Sequence, residues 1–496
     1  MSDDSPAMPQ IKTVVYLMLE NRGLDHLLGF LYPDGEKPKH VYPPDSPAAY
    51  NGLTPEMGNG CKGTSYTVTN GTGNGGQDKS DLETPSRDPN ETFPHVAKQM
   101  YADEWGNMPD GYYWSDEPKM QGFAWDYSDH WLTTPEVIMQ TFSAEQLPAL
   151  YGLARSYAIS DRWFSSIPTE TDPNRAYSIC GTSLGTVLNS EIHGSTFEGT
   201  RTLFNALGEA GKSWGLYWQS KGIASMAPPW DVYTPYFFPE MNNAPKGGVH
   251  AFDDDSDENA FMQALKRGTL PEFCYLEPVW GGGPATFLKI QGTDYHPSAS
   301  VGPGEYYLNE LYEALIASPQ WPNMLLIVTF DEHGGTYDHE PPTKTVAADE
   351  VVGPSGFRFD RLGPRVPTLL ISPYAPEGMV FRSDVPGADF DHTSIIATLL
   401  AWAGVDPAEA GMGKRVAQAP RFDGALSDTP RTDKPTFTVP DSYRTSGDAW
   451  KFIFGTDDCA PGPVPVQDFR ALCDAYDGNA EAFVEKLREL VFPARA

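Results

Sequence analysis

The segment Met324 to Pro342, MLLIVTFDEHGGTYDHEPP, constrains this chain more than any other. Its first residues, Met324 to Phe330, are an apolar run long enough for a strand buried inside a parallel sheet. The run stops at two acids, Asp331 and Glu332. His333, Gly334-Gly335, Asp338-His339 and Pro341-Pro342 follow. Ligands of open α/β sheets bind outside the carboxyl ends of the strands, so Asp-Glu at the end of a core strand aims two carboxylates at the cleft. Adjacent glycines let the backbone turn tightly and approach a ligand closely. Asp-Glu alone also fits a solvated acidic turn. The glycines and Asp338-His339 favour a metal or catalytic site.

Ile11 to Leu19, IKTVVYLML, repeats the pattern and ends in Glu20 and Asn21, with Arg22, Gly23 and Asp25-His26 beyond. Two such strands side by side would gather Glu20, Asn21, Asp331 and Glu332 at one sheet edge. Carboxylates and an amide oxygen are hard donors suited to a divalent cation. Glu20-Asn21 is equally a helix-start signal.

The chain carries a net charge of −32 over 496 residues. Such a surface repels a phosphate backbone, which excludes nucleic acid as the expected partner, and it disfavours anionic membranes. Any phosphate site needs local cations to offset that field. The start, MSDDSPAMPQIK, has neither a basic region nor an apolar core, so no signal peptide is read and a cytoplasmic location is expected. No apolar run reaches transmembrane length. Five scattered cysteines with no CxxC argue against a disulfide framework.

Residues 33 to 94 are rich in Pro, Gly, Asn and Thr, and long loops of this kind are usually functional or mobile. DPNETFPH then leads to His95 and a short helix near 96–102. Trp105 to Trp131 is dense in aromatics; these would either pack or cage a quaternary ammonium group. Ser143 to Ser160 reads as one helix with Ser143 and Gln146 as a capping box. The turn PTETDPNRAY places Thr171 ahead of Pro173, Asn174 and Arg175, with Pro173 near the first helical position. Thr171 is either a hydroxyl poised at a helix N-terminus to meet an anion or, with Asp172, a simple cap. Strands near 213–218 and 366–372 alternate with helices near 203–210, 257–266, 304–317 and 395–403, so the class is α/β with a mainly parallel sheet flanked by helices. We expect a catalytic domain over 1–425 and a C-terminal extension over 426–496, with helical segments near 464–492.

In order, ENRGLDH, His95, TDPNR, DYHP, DEHGGTYDH and DHTSI together resemble the phosphoesterase family of bacterial and plant phospholipases C and acid phosphatases. The resemblance covers roughly residues 11 to 405, and six ordered motifs are far more specific than any one. It implies an alkaline phosphatase-like fold. It also implies one divalent ion (Ca²⁺, Mg²⁺, Mn²⁺ or Zn²⁺) on Glu20, Asn21, Asp331 and Glu332, with Thr171 as nucleophile and metal-side oxygen. His95 and His296 match the family's phosphate-side histidines, Asp338 and His339 fall in its motifs and are expected near substrate, and His392 falls in its motifs without a fixed role. A further Asp-His step of the family has no good match here, His250 being a poor one. Asn174 and Arg175 are expected near substrate, Arg175 either gripping phosphate or bracing the turn.

The expected reaction is metal-dependent hydrolysis of a phosphodiester, a phospholipid or sphingolipid head group, by attack of Thr171. His296 or His95 would protonate the leaving alcohol. Alternatives are an acid phosphatase acting on monoesters and a non-catalytic phospho-ligand binder. TDPNR does not fit a sulfatase CxPxR-type turn, and the absence of repeats argues against a structural role.

Overall fold

A computed structural model describes residues 6–33, 35–109, 114, 117–129, 133–219, 232–254, 256–281 and 292–444. Nine strands form the central sheet: β1 Thr13–Leu19, β2 His40–Tyr42, β3 Ala158–Ser160, β4 Trp214–Trp218, β5 Gly247–Ala251, β6 Phe273–Glu277, β7 Met324–Phe330, β8 Thr368–Ile371 and β9 Met379–Phe381. Their spatial order is β2-β9-β3-β8-β7-β1-β6-β4-β5. Only β8 runs against its neighbours, β7 and β3, and the other pairings are parallel. The mainly parallel α/β class expected from the sequence is the one adopted.

β1 and β7 are buried along their whole length, as continuous apolar strands of a sheet covered on both faces must be. They pair residue for residue from Thr13–Met324 to Leu19–Phe330. Glu20-Asn21 and Asp331-Glu332 therefore leave the sheet together, as the two strand patterns implied. Helices cover the sheet, among them α1 Leu24–Leu28, α2 Phe93–Tyr101, α3 Phe123–Ser128, α4 Pro148–Ser156, α5 Thr171–Cys180, α6 Gly302–Ala317 and α7 His392–Trp402. One apolar core joins sheet and helices. A second, smaller core joins α2, α3, Trp114, Tyr337 and Phe357.

Two local expectations are corrected. The helix read over 143–160 is only α4, followed by β3. Gln146 does accept from the Ser143 N–H, but it also holds Thr72 and Gly76, so the pair closes a turn, and the helix starts at Pro148, which is favoured in a first turn. In α5, Glu170 is the capping residue and Thr171 the first helical one, so Pro173 stands third.

The aromatic segment is partly packing. Trp114 stacks on Phe93 at 4.8 Å and meets Phe357 at 4.7 Å; Tyr112, Tyr113 and Trp131 lie outside the described residues. Of the C-terminal extension, Phe437 and Tyr443 pack on the core, and the Tyr443 hydroxyl donates to Gln146 O at 3.0 Å. The helical segments expected near 464–492 lie outside the described residues. Among the described residues, no helix is long and apolar enough to cross a membrane.

Candidate active site

The carboxyl ends of β1 and β7 carry the site. The Asn21 N–H donates to Asp331 Oδ1 at 2.9 Å, and the Glu332 N–H to the same oxygen at 2.7 Å. Asn21 holds a left-handed φ of +53°, uncommon for a residue with a side chain, and this turns its amide toward α5. There the Thr171 hydroxyl donates to Asn21 Oδ1 at 3.0 Å. Gly334 makes the approach possible. Its φ is +62°, and a Cβ there would lie 1.8 Å from the Asn21 carbonyl oxygen. Gly335 likewise lies against the backbone of Asn90.

The DYHP motif closes one side. The Glu20 N–H donates to Asp294 O at 2.8 Å, and His296 Nε2 lies 3.1 Å from the Asn21 side-chain amide. Arg22, fully buried, ties the two motifs by donating to Tyr295 O and Thr84 O, each at 2.7 Å. The structure thus brings Glu20, Asn21, Thr171, His296, Asp331 and Glu332 together. His95 stands on α2, with Nδ1 2.8 Å from Asp126 Oδ1.

Charge within this site is not balanced. Burial raises the Glu20 carboxyl to about 8, with Arg175 opposing the shift and Asp331 and Asp294 adding to it. Burial also raises Glu332 well above its ordinary range, and Asp331, Glu91 and Glu170 push it further. Glu332 Oε1 is buried and has no hydrogen-bond partner. Burial lifts Glu170 to about 7. For His296, burial would lower the imidazole, but Asp88, Glu20, Asp294 and Glu91 outweigh it and hold it near 9. Asp88, Glu91, Glu170 and Asp294 were not singled out from the sequence, although each stands within or beside a motif that was. Their signal was position: Glu170 one step before Thr171, Asp88 and Glu91 in the loop ahead of α2, and Asp294 as the first residue of DYHP.

Four residues expected near substrate are placed as braces. Asn174 binds the turn itself, accepting from Ile167 N–H and donating to Thr169 O at 2.7 Å. Arg175 is buried beneath the site, donating to Asp331 Oδ2 at 3.2 Å and Glu20 Oε1 at 3.4 Å. The Trp280 ring covers its guanidinium at 4.7 Å, so it braces the carboxylates from behind. Asp338 and His339 belong to another cluster. His339 Nδ1 lies 2.6 Å from Asp25 Oδ2, and Arg365 Nη2 donates to Asp25 Oδ1 at 2.9 Å and Asp338 Oδ1 at 2.7 Å. Among the described residues, Asp25, Asp338 and His339 are the group whose donor atoms come within 4.8 Å of one another, as metal ligands would. The Arg365 guanidinium already stands among those atoms, so the group has its cation. His392 braces Asp331, with Nε2 2.6 Å from the Asp331 carbonyl oxygen. His250 lies on β5, its ring 5.7 Å from Tyr217.

Comparison with known proteins places this geometry. The phosphoesterase family model matches residues 11–406. Non-specific phospholipase C1 of Arabidopsis thaliana is 32% identical over 436 residues, covering 86% of this chain and 73% of that protein. The non-hemolytic phospholipase C of Burkholderia pseudomallei is 28% identical over 339 residues, covering 58% of this chain and 44% of that protein. A solved alkaline phosphatase superfamily protein from Vibrio parahaemolyticus covers 56% of this chain and 65% of its own, at 15% identity and a TM-score of 0.34. With a family match across nearly all of the sheet and every motif around its strand ends, the chain belongs to the phosphoesterase family and is a phosphoric ester hydrolase.

Proposed function

We propose that this enzyme is a phospholipase C-type phosphodiesterase that uses Thr171 as nucleophile and releases the head group of a phospholipid or sphingolipid. One observation carries the reading: the Thr171 hydroxyl is held on Asn21 beside three buried carboxylates, one with an unpartnered oxygen. Relatives named phospholipase C support the diester.

The donor set fits a divalent cation. Glu332 Oε1 lacks a partner, and Glu20 and Glu332 are acids crowded by like charge, which a bound cation would relieve. Glu20, Asn21, Thr171, Asp331 and Glu332 would hold it, and their oxygens suit Ca²⁺, Mg²⁺ or Mn²⁺, with Zn²⁺ compatible beside histidine. When bound, the ion favours the ionised threonine oxygen and offsets phosphate charge. Asn21 orients the Thr171 oxygen toward phosphorus, and the N-terminal dipole of the ten-residue α5 favours negative charge there. Attack forms a phosphothreonine and breaks the bond to the leaving alcohol. His95 or His296 donates the proton that alcohol needs. Water then frees Thr171.

The test compares p-nitrophenyl phosphate, bis-p-nitrophenyl phosphate and p-nitrophenylphosphorylcholine. It uses wild type, Thr171→Ala and chelator-treated wild type. Diester hydrolysis lost in both controls is the expected result. A preference for the monoester would make the enzyme a phosphatase, and undiminished activity in Thr171→Ala would end the covalent route.

A further inference from the structure

Gln99 on α2 and Asp126 on α3 belong to none of the motifs above, yet each is only 1% exposed. Together they link His95 to His333, the residue that follows the strand-end acids. Asp126 Oδ1 meets His95 Nδ1 at 2.8 Å. Asp126 Oδ2 accepts from Gln99 Nε2 at 3.0 Å, and Gln99 Oε1 lies 2.8 Å from His333 Nε2. His333 Nδ1 lies 3.2 Å from Glu332 Oε2 but makes no hydrogen bond.

The polarity of this link is fixed. Gln99 Nε2 faces two acceptors, Asp126 Oδ2 and the Asn90 carbonyl at 2.6 Å. Both accept only, so this end of the amide must be its N–H₂ end. Oε1 then points at His333, whose Nε2 must carry a proton. On the other side, Asp126 cannot rotate away from its two donors. An ionised Asp126 can only accept, so its contact is a hydrogen bond from His95 Nδ1–H, with the Asn90 side-chain amide beside the same nitrogen at 3.1 Å, and the proton exchange with substrate is assigned to Nε2. The same loop is pinned to the catalytic turn, because Asn90 packs against Gly335 with no room for a Cβ.

We propose that Asp126, oriented by Gln99, is the positioning residue that sets His95 as the acid for the leaving group. The inference rests on the phosphodiesterase reading above. As the bond between phosphorus and the leaving oxygen breaks, its electron pair goes to that oxygen. The His95 Nε2 proton follows, and Asp126 stays ionised and keeps its bond to Nδ1–H. A carboxylate in this place only accepts, so it fixes the tautomer and plane of the ring, which an amide able to present its N–H₂ would not do.

The test uses the full chain and two phosphocholine diesters. p-Nitrophenylphosphorylcholine leaves as a stable phenolate that needs no acid. A short-chain diacylglycerophosphocholine, kept below its micelle concentration, leaves as an alkoxide that does. We expect Asp126→Asn to lower kcat on the alkyl diester by about 100-fold or more and on the nitrophenyl ester by less than about fivefold, with KM little changed. Gln99→Met, which leaves the carboxylate in place, should show the same asymmetry more weakly, and it serves if Asp126→Asn does not fold. Adding Asp126→Asn to His95→Ala should cost nothing further. Equal losses on both substrates, or additive losses in the double variant, would overturn the positioning role while leaving the phosphodiesterase reading intact. Wild type that cleaves neither diester would overturn both.

Discussion

Two buried acidic clusters lie within one motif of each other in this molecule, and they are built on opposite principles. In one, Asp25 and Asp338 close around Arg365, with His339 on the rim. Arg365 also donates to Asn51 O and Asp161 O, so its donors are engaged on every side. In the other, Glu20, Asp331 and Glu332 face a single arginine, Arg175, which reaches only two of them. The first cluster looks more like a set of metal ligands by distance alone, since its donor atoms are the closer together. The second has the chemistry of a cation site, because its acids press on one another and an oxygen of Glu332 is unpartnered. Buried charges persist only when paired or when coordinating a metal. Arg365 gives the first cluster an internal partner, whereas in the second an oxygen of Glu332 has none.

The largest effect that separates the clusters should come from Arg365→Met. It strands two buried carboxylates, and breaking a buried pair this way costs about 3–5 kcal/mol. Urea unfolding should show that loss. If the variant kept wild-type stability, or bound a divalent ion that wild type binds only through these residues, the structural reading of this cluster would fail. Glu332→Gln should do the reverse. It removes a carboxylate that burial and its neighbours already disfavour, so the metal-free protein should unfold at the same urea concentration or higher. Metal affinity and diester turnover should each fall by about 100-fold, the upper range for perturbing a metal's surroundings and a lower bound for losing a ligand. A Glu332→Gln variant that keeps full metal affinity would move the ion elsewhere.

The second cluster was legible in the sequence and the first was not, for a physical reason. The polar strand ends announce themselves because a seven-residue strand with six apolar residues precedes each pair, and a parallel sheet has one way to place them. The register from Thr13–Met324 to Leu19–Phe330 follows from that pattern. Thr171 was open in the sequence between an anion-facing hydroxyl and a simple cap, and only the family resemblance assigned it the nucleophile's place. Arg365 carries no local signal. It is a lone arginine 340 residues from Asp25, and only the assembled fold brings them to 2.9 Å. That is why Asp338 and His339 were expected near substrate. Asn174 and Arg175 were expected near substrate, Arg175 with bracing as its alternative, and both make contacts inside the protein. Their motif was right, but sequence spacing says nothing about which side of the turn a side chain faces. Gln99 and Asp126 combine both problems, being single polar residues on two short helices that meet only in the smaller core.

The smallest effect concerns pH and sharpens the contrast further. Burial alone would raise the Asp25 carboxyl, but Arg365 and His339 outweigh it and hold it at about 2, below its ordinary 3.8. Stability from Asp25 is therefore present above 3.8 and lost as pH falls through about 2. His339 moves the other way. Burial would lower it, but Asp25 outweighs burial and the repulsion from Arg365, with Asp338 adding to the rise above 6.5. Its contribution is fully present below 6.5 and lost as pH rises through the elevated folded value. Urea unfolding between pH 5 and 9 should thus show a declining stability that His339→Gln flattens in part. The histidine is 14% exposed and is only one of several titrating groups, so the change in slope will be modest. An unchanged slope in His339→Gln would mean that His339 sits beside Asp25 without sharing its charge, leaving Arg365 as the sole cation of that joint.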